Sequence, residues 1–426
     1  MSRVGWKNAG AAAGGPHTRK VMLYSHDTYG LGHLRRNLRI AGELLGSFPG
    51  LQVVLVSGSP VAERFPTPPG LTIVKLPSVR KVGAEQYRPL NDGLAISLVR
   101  RTRTAIMVDV AKRFRPDVLL VDHSPAGMNG ELLGVFSALE DHSPSTRIVL
   151  GLRDILDEPG AVVRAWTDQG IYSLLGDVYD QIVVYGSSEL FDVGVEYRLP
   201  EPLAARLFYA GYIAPGAAPD APSAPVGDAP GADAPEPYLL ATAGGGGDGV
   251  AVLAAAMDAG ASLRLATKVV AGPLIDDEAF AGLLARAERT PGVELVKFHP
   301  HLQQAMAGAA AVITMGGYNS LCEAISVGVP TVVVPRSQPR LEQTIRARLF
   351  AHRGLVSMVQ AGPDLGERVA RTVGAAIGRA PSGRSIDMNG LERLARLLIT
   401  GEAAPVLSGR SAGLQQSDPF SERLPA

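Results

Sequence analysis

Cysteine is almost missing from this chain. Cys322 stands alone among 426 residues, which rules out an intramolecular disulfide and a four-cysteine zinc site. Set just inside an expected helix start, it reads as a small buried packing residue rather than a nucleophile. Net charge is missing too. The 41 Lys and Arg balance the 41 Asp and Glu, which removes the bulk electrostatic case for nucleic acid or an anionic membrane as partner. Lysine is scarce, at seven of the 41 basic residues. Beside the excess of Ala, Gly and Pro, this reads as a coding bias, so arginine as such carries no phosphate-binding meaning. No uninterrupted apolar run approaches the roughly 20 residues of a membrane span. The opening MSRVGWKNAGAAAGGPHTRK lacks the apolar core of a secretory signal. A cytoplasmic location is expected, with peripheral contact to a membrane surface left open.

What is present is enough apolar sequence, 46%, for two cores, and a length beyond what one core usually organises. Between residues 20 and 213 short apolar strands alternate with amphipathic stretches. The strands are VMLYS (21–25), QVVLVSG (52–58), LTIVKL (71–76), DVLLVD (117–122), RIVLGL (147–152) and QIVVYG (181–186), with helices over 33–46, 92–114 and 159–176. The alternation restarts with strands at 238–243, 264–272, 293–298, 310–315, 330–335 and 355–359. Helices are expected there at 249–259, 277–289, 301–308, 319–327, 340–352 and 363–379. This predicts an α/β chain of two Rossmann-like, doubly wound domains. The expected boundaries are a disordered leader (1–18), a first domain (19–213), a Pro/Ala-rich linker (214–236), a second domain (237–380), an amphipathic helix (385–401) and a disordered tail (402–426).

In open parallel sheets ligands bind beyond the carboxyl ends of strands, where turns enter helices. Four such turns are unusual. In ATAGGGGDGVAVL, Gly244, Gly245, Gly246 and Gly247 allow backbone amides to approach a phosphate at a helix start. Gly244, Gly246 and Gly249 also fit G-x-G-x-x-G, but no acid ends the next strand and no Lys-Ser/Thr follows, against both a nicotinamide site and a P-loop. A merely flexible turn is the plain alternative. In ITMGGYNSLCEAISVGVPTVVVPR, Gly316 and Gly317 turn the chain, Asn319 or Ser320 is expected to cap a helix, and Ser320 offers a hydroxyl. Glu323 follows one turn after Asn319, where it could accept from a ribose diol or close an S-x-x-E capping box with Ser320. In PRSQPRLEQTIRARL, Glu342 and Gln343 stand together at a helix start, as a pair reading hexose hydroxyls or as a solvated first turn. In the first domain, SHDTYGLGHLRR (25–36) places His26, Asp27 and His33 between a strand and a helix.

The order G-G-x-N-S-x-x-E-A, then G-x-P, P and E-Q-x-x-x-A, is similar to the carboxyl-terminal domain of family 28 glycosyltransferases over about residues 238–360. That family includes the bacterial enzyme that adds N-acetylglucosamine to lipid I. The G-L-G-H turn resembles that enzyme's glycine-rich GGH turn, and SHDTYGLGHLRR resembles a group of predicted bacterial glycosyltransferases. The resemblance implies a GT-B fold, two Rossmann-like domains facing a cleft, with a final helix (388–401) crossing back. It implies that Gly244–Gly247 and Gly316–Gly317, with Asn319 and Ser320, hold a donor diphosphate. Glu323 would take the ribose, Phe298 and the His299 backbone would face uracil, and Glu342 with Gln343 would read the sugar. Two departures stand out. The lipid I enzyme has two glutamines where this chain has Glu342 and Gln343, which leaves a hexose or an N-acetylhexosamine open, and its loop lacks the His26–Asp27 pair.

An acceptor hydroxyl attacking an anomeric carbon must lose its proton, so a base is needed. His33, at a helix start whose dipole disfavours imidazolium, is the candidate, with His26 and Asp27 orienting it or binding acceptor. Structural capping by His33, and a metal site of His26, Asp27 and His33, are the weaker alternatives. The expectation is inverting, metal-independent transfer from a UDP-sugar to an unidentified acceptor (lipid-linked, glycan or small molecule). The UDP-sugar is then a substrate, and no cofactor, metal or nucleic acid is expected. A UDP-sugar epimerase of the same fold, or a non-catalytic sugar-nucleotide-binding protein, are the competing readings.

Overall fold

The computed structural model describes residues 19–26, 31–83, 86–214, 236–378 and 386–402. The expected leader, nearly all of the linker and tail, and Asp27 lie outside the described residues.

The first sheet is built from β1 (Lys20–Ser25), β2 (Gln52–Ser57), β3 (Leu71–Lys75), β6 (Val118–Asp122), β7 (Arg147–Arg153), β8 (Gln181–Tyr185) and β9 (Leu207–Tyr209), with β4 (Val79–Gly83) and β5 (Gln86–Pro89) forming a separate antiparallel hairpin. Its order is β3-β2-β1-β6-β7-β8-β9, every pair parallel. The second sheet contains β10 (Tyr238–Thr242), β11 (Ala266–Val270), β12 (Val293–Val296), β13 (Ala311–Thr314), β14 (Thr331–Val333) and β15 (Ser357–Met358). It runs β12-β11-β10-β13-β14-β15, again parallel throughout. Central strands such as β1 and β6 are almost wholly buried, as continuous apolar runs in parallel sheets should be. In each sheet the order reverses beside the first strand, between β1 and β6 and between β10 and β13. Crevices for ligands open at such reversals.

Helices of the first domain are α1 (Gly32–Ser47), α2 (Ile96–Phe114), α3 (Leu133–His142), α4 (Pro159–Asp168), α5 (Ile171–Val178), α6 (Val193–Glu196) and α7 (Glu201–Ala204). Those of the second are α8 (Val250–Leu263), α9 (Asp277–Arg289), α10 (Leu302–Ala307), α11 (Tyr318–Ser326), α12 (Glu342–His352) and α13 (Leu365–Ala376), followed by α14 (Gly390–Thr400). Several details differ from the sequence reading. The 92–114 helix starts only at Ile96, because Asn91 accepts from the Gly93 amide at 3.1 Å and holds a turn there. The 159–176 stretch is two helices, broken at Gly170 with φ of 65°. The β4–β5 hairpin, α3, α6, α7 and β9 were not expected.

The domains are joined by packing as well as by chain. One core cluster runs from Val21 and Leu34 through Tyr212 to Tyr318 and Phe350. Tyr212 and Tyr318 stack at 5.9 Å, and the Tyr318 hydroxyl accepts from the Ile213 amide at 2.9 Å. Helix α14 packs on α1, and Arg147 donates to the carbonyls of Leu397 and Leu398 at 3.0 and 2.7 Å, answering the negative end of that helix.

Candidate active site

His33 is the second residue of α1, which leaves β1 at the reversal of the first sheet. Its Nδ1 lies 2.7 Å from Asp122 Oδ2, at the end of the neighbouring β6. Arg36, one turn along, forks onto the same carboxylate, its Nη2 at 2.7 and 2.8 Å and its Nε at 3.1 Å. The Arg36 guanidinium lies over the rings of Tyr185 and Tyr318. Burial pushes the Asp122 carboxyl up, but the charges of Arg36 and His33 and their hydrogen bonds outweigh it and bring it to about 2. Asp122 is therefore an anion that accepts, so Nδ1 of His33 carries the proton and Nε2 the lone pair.

Burial lowers the His33 imidazole below its ordinary value; Asp122 opposes this, and Arg36 and Arg153 add to it. The ring is neutral at pH 7. If His33 serves as a rate-limiting general base, kcat/KM should climb through an acid limb centred below 6.5 as pH rises, and a limb at or above 6.5 would count against that role. Asp122 acts in the opposite pH range. Its folded value lies below the ordinary 3.8. Its stabilisation of about 2 kcal/mol is therefore complete above about pH 4 and is lost as pH falls through about 2.

His26, buried just beyond β1, has its ring centre 5.9 Å from that of His33. Its Nδ1 is 3.2 Å from the Tyr24 hydroxyl, which donates to Glu131 at 2.7 Å, and Arg103 holds Glu131 in turn. Among the described residues no group of three or more His, Cys, Asp and Glu is arranged to hold a metal ion. Cys322 is buried and its thiol is pushed up by that burial, as befits a packing residue.

Across from His33, the Gly244–Gly247 turn leads from β10 into α8. Gly246 has φ of 99°, and a Cβ there would sit 2.6 Å from the Ala271 carbonyl oxygen, so only glycine fits. Gly316 is likewise left-handed at φ 85°. Helix α11 begins at Tyr318 with Gly317 in the cap position and no side-chain cap. This corrects the expected cap: Asn319 and Ser320 lie inside the first turn, so the S-x-x-E box is not formed. Asn319 instead reaches across to donate to the Gly32 carbonyl at 2.9 Å. Uncapped starts leave the first amides of α8 and α11 available to an anion. Asp276, by contrast, caps α9 through the Ala279 amide at 2.7 Å.

One cleft between the sheets is lined by His33 and Arg153 from the first domain and by Gly244–Gly247, Gly317, Asn319, Ser320, Glu342 and Gln343 from the second. Phe298 and His299 line an adjoining pocket, facing Arg35, Arg39 and Phe65; Phe65 and Phe298 meet edge to face at 5.5 Å. Glu323, Gly316 and His26 stand outside both linings. Glu323 is fully buried, with Oε1 paired to Arg35 and Arg39 of α1 and Oε2 left without a partner. Burial raises Glu323, and the two arginines more than reverse it. Arg336 donates to Glu342 Oε1 at 2.9 Å and pairs with Asp248, while Glu342 Oε2 is buried and unpartnered. The Arg336 amide donates to Gln343 Oε1 at 3.3 Å.

Residues 271–377 match the Glycosyltransferase family 28 C-terminal domain. The chain is similar to the spinosyn forosaminyltransferase SpnP, with a TM-score of 0.57 and 15% identity over 91% of this chain and 95% of that one. A UDP-glucosyltransferase from Polygonum tinctorium capable of glucosylating indoxyl gives 0.56 and 14%, over 90% and 95%. MurG of Acinetobacter baumannii gives 0.52 and 13%, over 89% and 99%. The chain has the GT-B glycosyltransferase fold. No curated protein matches it in sequence. The family 28 match spans the Gly316–Glu323 segment and the Glu342–Gln343 pair but begins after Gly244–Gly247. Glycosyl transfer is the activity that the domain match supports. Sequence reading missed Asp122, Arg35, Arg36, Arg39, Arg153 and Arg336. The one local signal for Asp122 was its place at the end of an apolar strand, DVLLVD.

Proposed function

We propose that the protein transfers a hexose or N-acetylhexosamine from a UDP-sugar to an acceptor hydroxyl, with inversion and without a metal ion. The observation that carries the reading is the His33–Asp122 pair opening onto the same cleft as the Gly244–Gly247 turn and the Glu342–Gln343 pair. The acceptor oxygen attacks the anomeric carbon as the bond to the UDP oxygen breaks. His33 Nε2 takes the proton, and Asp122 stabilises the imidazolium that forms. Charge gathering on the leaving diphosphate meets the amides of the glycine turns and the open starts of α8 and α11, fixed before the reaction. Glu342 Oε2, buried with no partner, is an acceptor for a sugar hydroxyl. The uracil and ribose fall to the pocket of Phe298 and His299, with Glu323, behind the lining residues Arg35 and Arg39 that it pairs with, offering its unpartnered Oε2 to the ribose.

UDP is expected to raise the melting temperature equally with and without EDTA, in a thermal-shift comparison of nucleotides. Stabilisation by NAD in place of UDP would overturn the donor assignment. Glu323→Gln keeps the volume and is expected to weaken UDP binding by roughly 1–3 kcal/mol, the range for hydrogen bonds to a charged group. Unchanged affinity in calorimetry would confine Glu323 to its pairing with Arg35 and Arg39.

A further inference from the structure

Among the described residues, Arg36, Arg153 and Arg346 reach into the region between the sheets, and Arg35 and Arg336, paired to Glu323 and to Asp248 and Glu342, also line the cleft. Of the first three, two are matched. Arg36 holds Asp122, and Arg346 holds Asp154, each pair at 2.7 Å and each almost without exposure. Arg153, the last residue of β7, is not. Among the described residues its side chain has no carboxylate in ion-pair range, and its Nε is buried without a partner. Burial lowers it to about 10, an effect that Glu342 opposes and that Arg346, Arg36 and Arg340 deepen. Arg153 is half-buried on the cleft wall, so part of its hydration is lost without a counter-charge to replace it, which costs free energy.

A second unmatched group lies beside it. His123 directly follows Asp122, has left-handed backbone (φ 73°) and leaves its Nδ1 buried and unpartnered. Its ring is 5.0 Å from that of His33, and after burial the Arg153 charge is the strongest influence holding it neutral. Left-handed backbone at a residue other than glycine persists where the surroundings impose it, and it gathers at functional sites. Arg153 thus stands on the first-domain wall of the cleft that His33 lines, and His123 lies beside His33, outside that lining. The amides proposed for the diphosphate are on the opposite wall. A guanidinium is a donor only, with a planar fork suited to carboxylate or phosphate.

We propose that Arg153, with His123 beside it, receives a carboxylate or phosphate of the acceptor, so that the acceptor is an anionic molecule whose attacking hydroxyl lies near its charge. This rests on reading the cleft as a transferase site. The test uses matched probes on the full chain saturated with UDP: methyl glucuronide against methyl glucoside, and glycerol 3-phosphate against glycerol, each titrated by calorimetry. The first pair reports a carboxylate and the second a phosphate. At least one anionic probe is expected to bind about 10- to 100-fold more tightly than its neutral twin, and Arg153→Met to erase that difference while leaving UDP affinity unchanged. Arg153→Gln carries the same expectation should the Met variant fail to fold. Wild-type protein with no preference in either pair, or a preference that survives loss of Arg153, overturns the proposal. So does a fall in UDP affinity in the variants, which would assign Arg153 to the donor diphosphate. Failure of the wild-type protein to bind UDP would strike the donor reading instead, and the anion preference is then read on the free protein by the same criteria.

Discussion

His33→Ala is expected to lower kcat by about 10²–10⁴ at saturating UDP-sugar while UDP affinity stays unchanged, the usual effect of removing a positioned base. The geometry separates these two outcomes. His33 meets Asp122 behind it and the cleft in front, while the glycine turns proposed for the diphosphate lie on the other domain. The variant should also fold, because Asp122 keeps the fork of Arg36 and is not left as a bare buried charge. His26→Ala should cost less in kcat, since His26 is tied back to the Tyr24 hydroxyl rather than to Asp122. Wild-type turnover in His33→Ala would remove His33 from the base role. A loss of UDP binding would place it in the donor site.

The second large effect is on stability. Asp154→Ala is expected to destabilise the protein by about 3–5 kcal/mol, the loss seen when one partner of a buried ion pair is removed. Arg346 of α12 donates to both Asp154 oxygens, at 2.7 to 3.2 Å, and to the carbonyls of Gly316 and Ile155 at 3.1 and 3.3 Å. One side chain therefore ties the first domain, the Gly316 turn and the helix that presents Glu342 and Gln343. Without Asp154 the guanidinium is stranded. Asp154→Leu combined with Arg346→Met should recover most of the loss, because neither charge is then left unpaired. Denaturant unfolding of the two single variants and the double variant measures this. Single variants as stable as the wild type would show that the pair is not holding the domains together.

Much of the architecture was legible because it is written locally. Apolar runs such as VMLYS and DVLLVD, the glycines that turn the chain after them and the amphipathic stretches beyond need only neighbours a few residues apart to be recognised. They yielded two doubly wound units and the turns carrying Gly244–Gly247, Gly316–Gly317 and Glu342–Gln343. The elements that were missed are short or lean on packing: α3, α6, α7, β9 and the β4–β5 hairpin. The chemistry of the cleft was decided elsewhere. Asp122 lies 89 residues from His33 and meets it only because β6 pairs with β1 at the sheet reversal. Glu323 and Arg39 are 284 residues apart, Asp154 and Arg346 are 192 apart, and each pair exists only because the two domains face one another. Residue type and spacing determined where turns and helix starts would be. Which charges would be matched across them, and that Arg153 would be left without one, depended on strand order and domain apposition, which no local periodicity encodes.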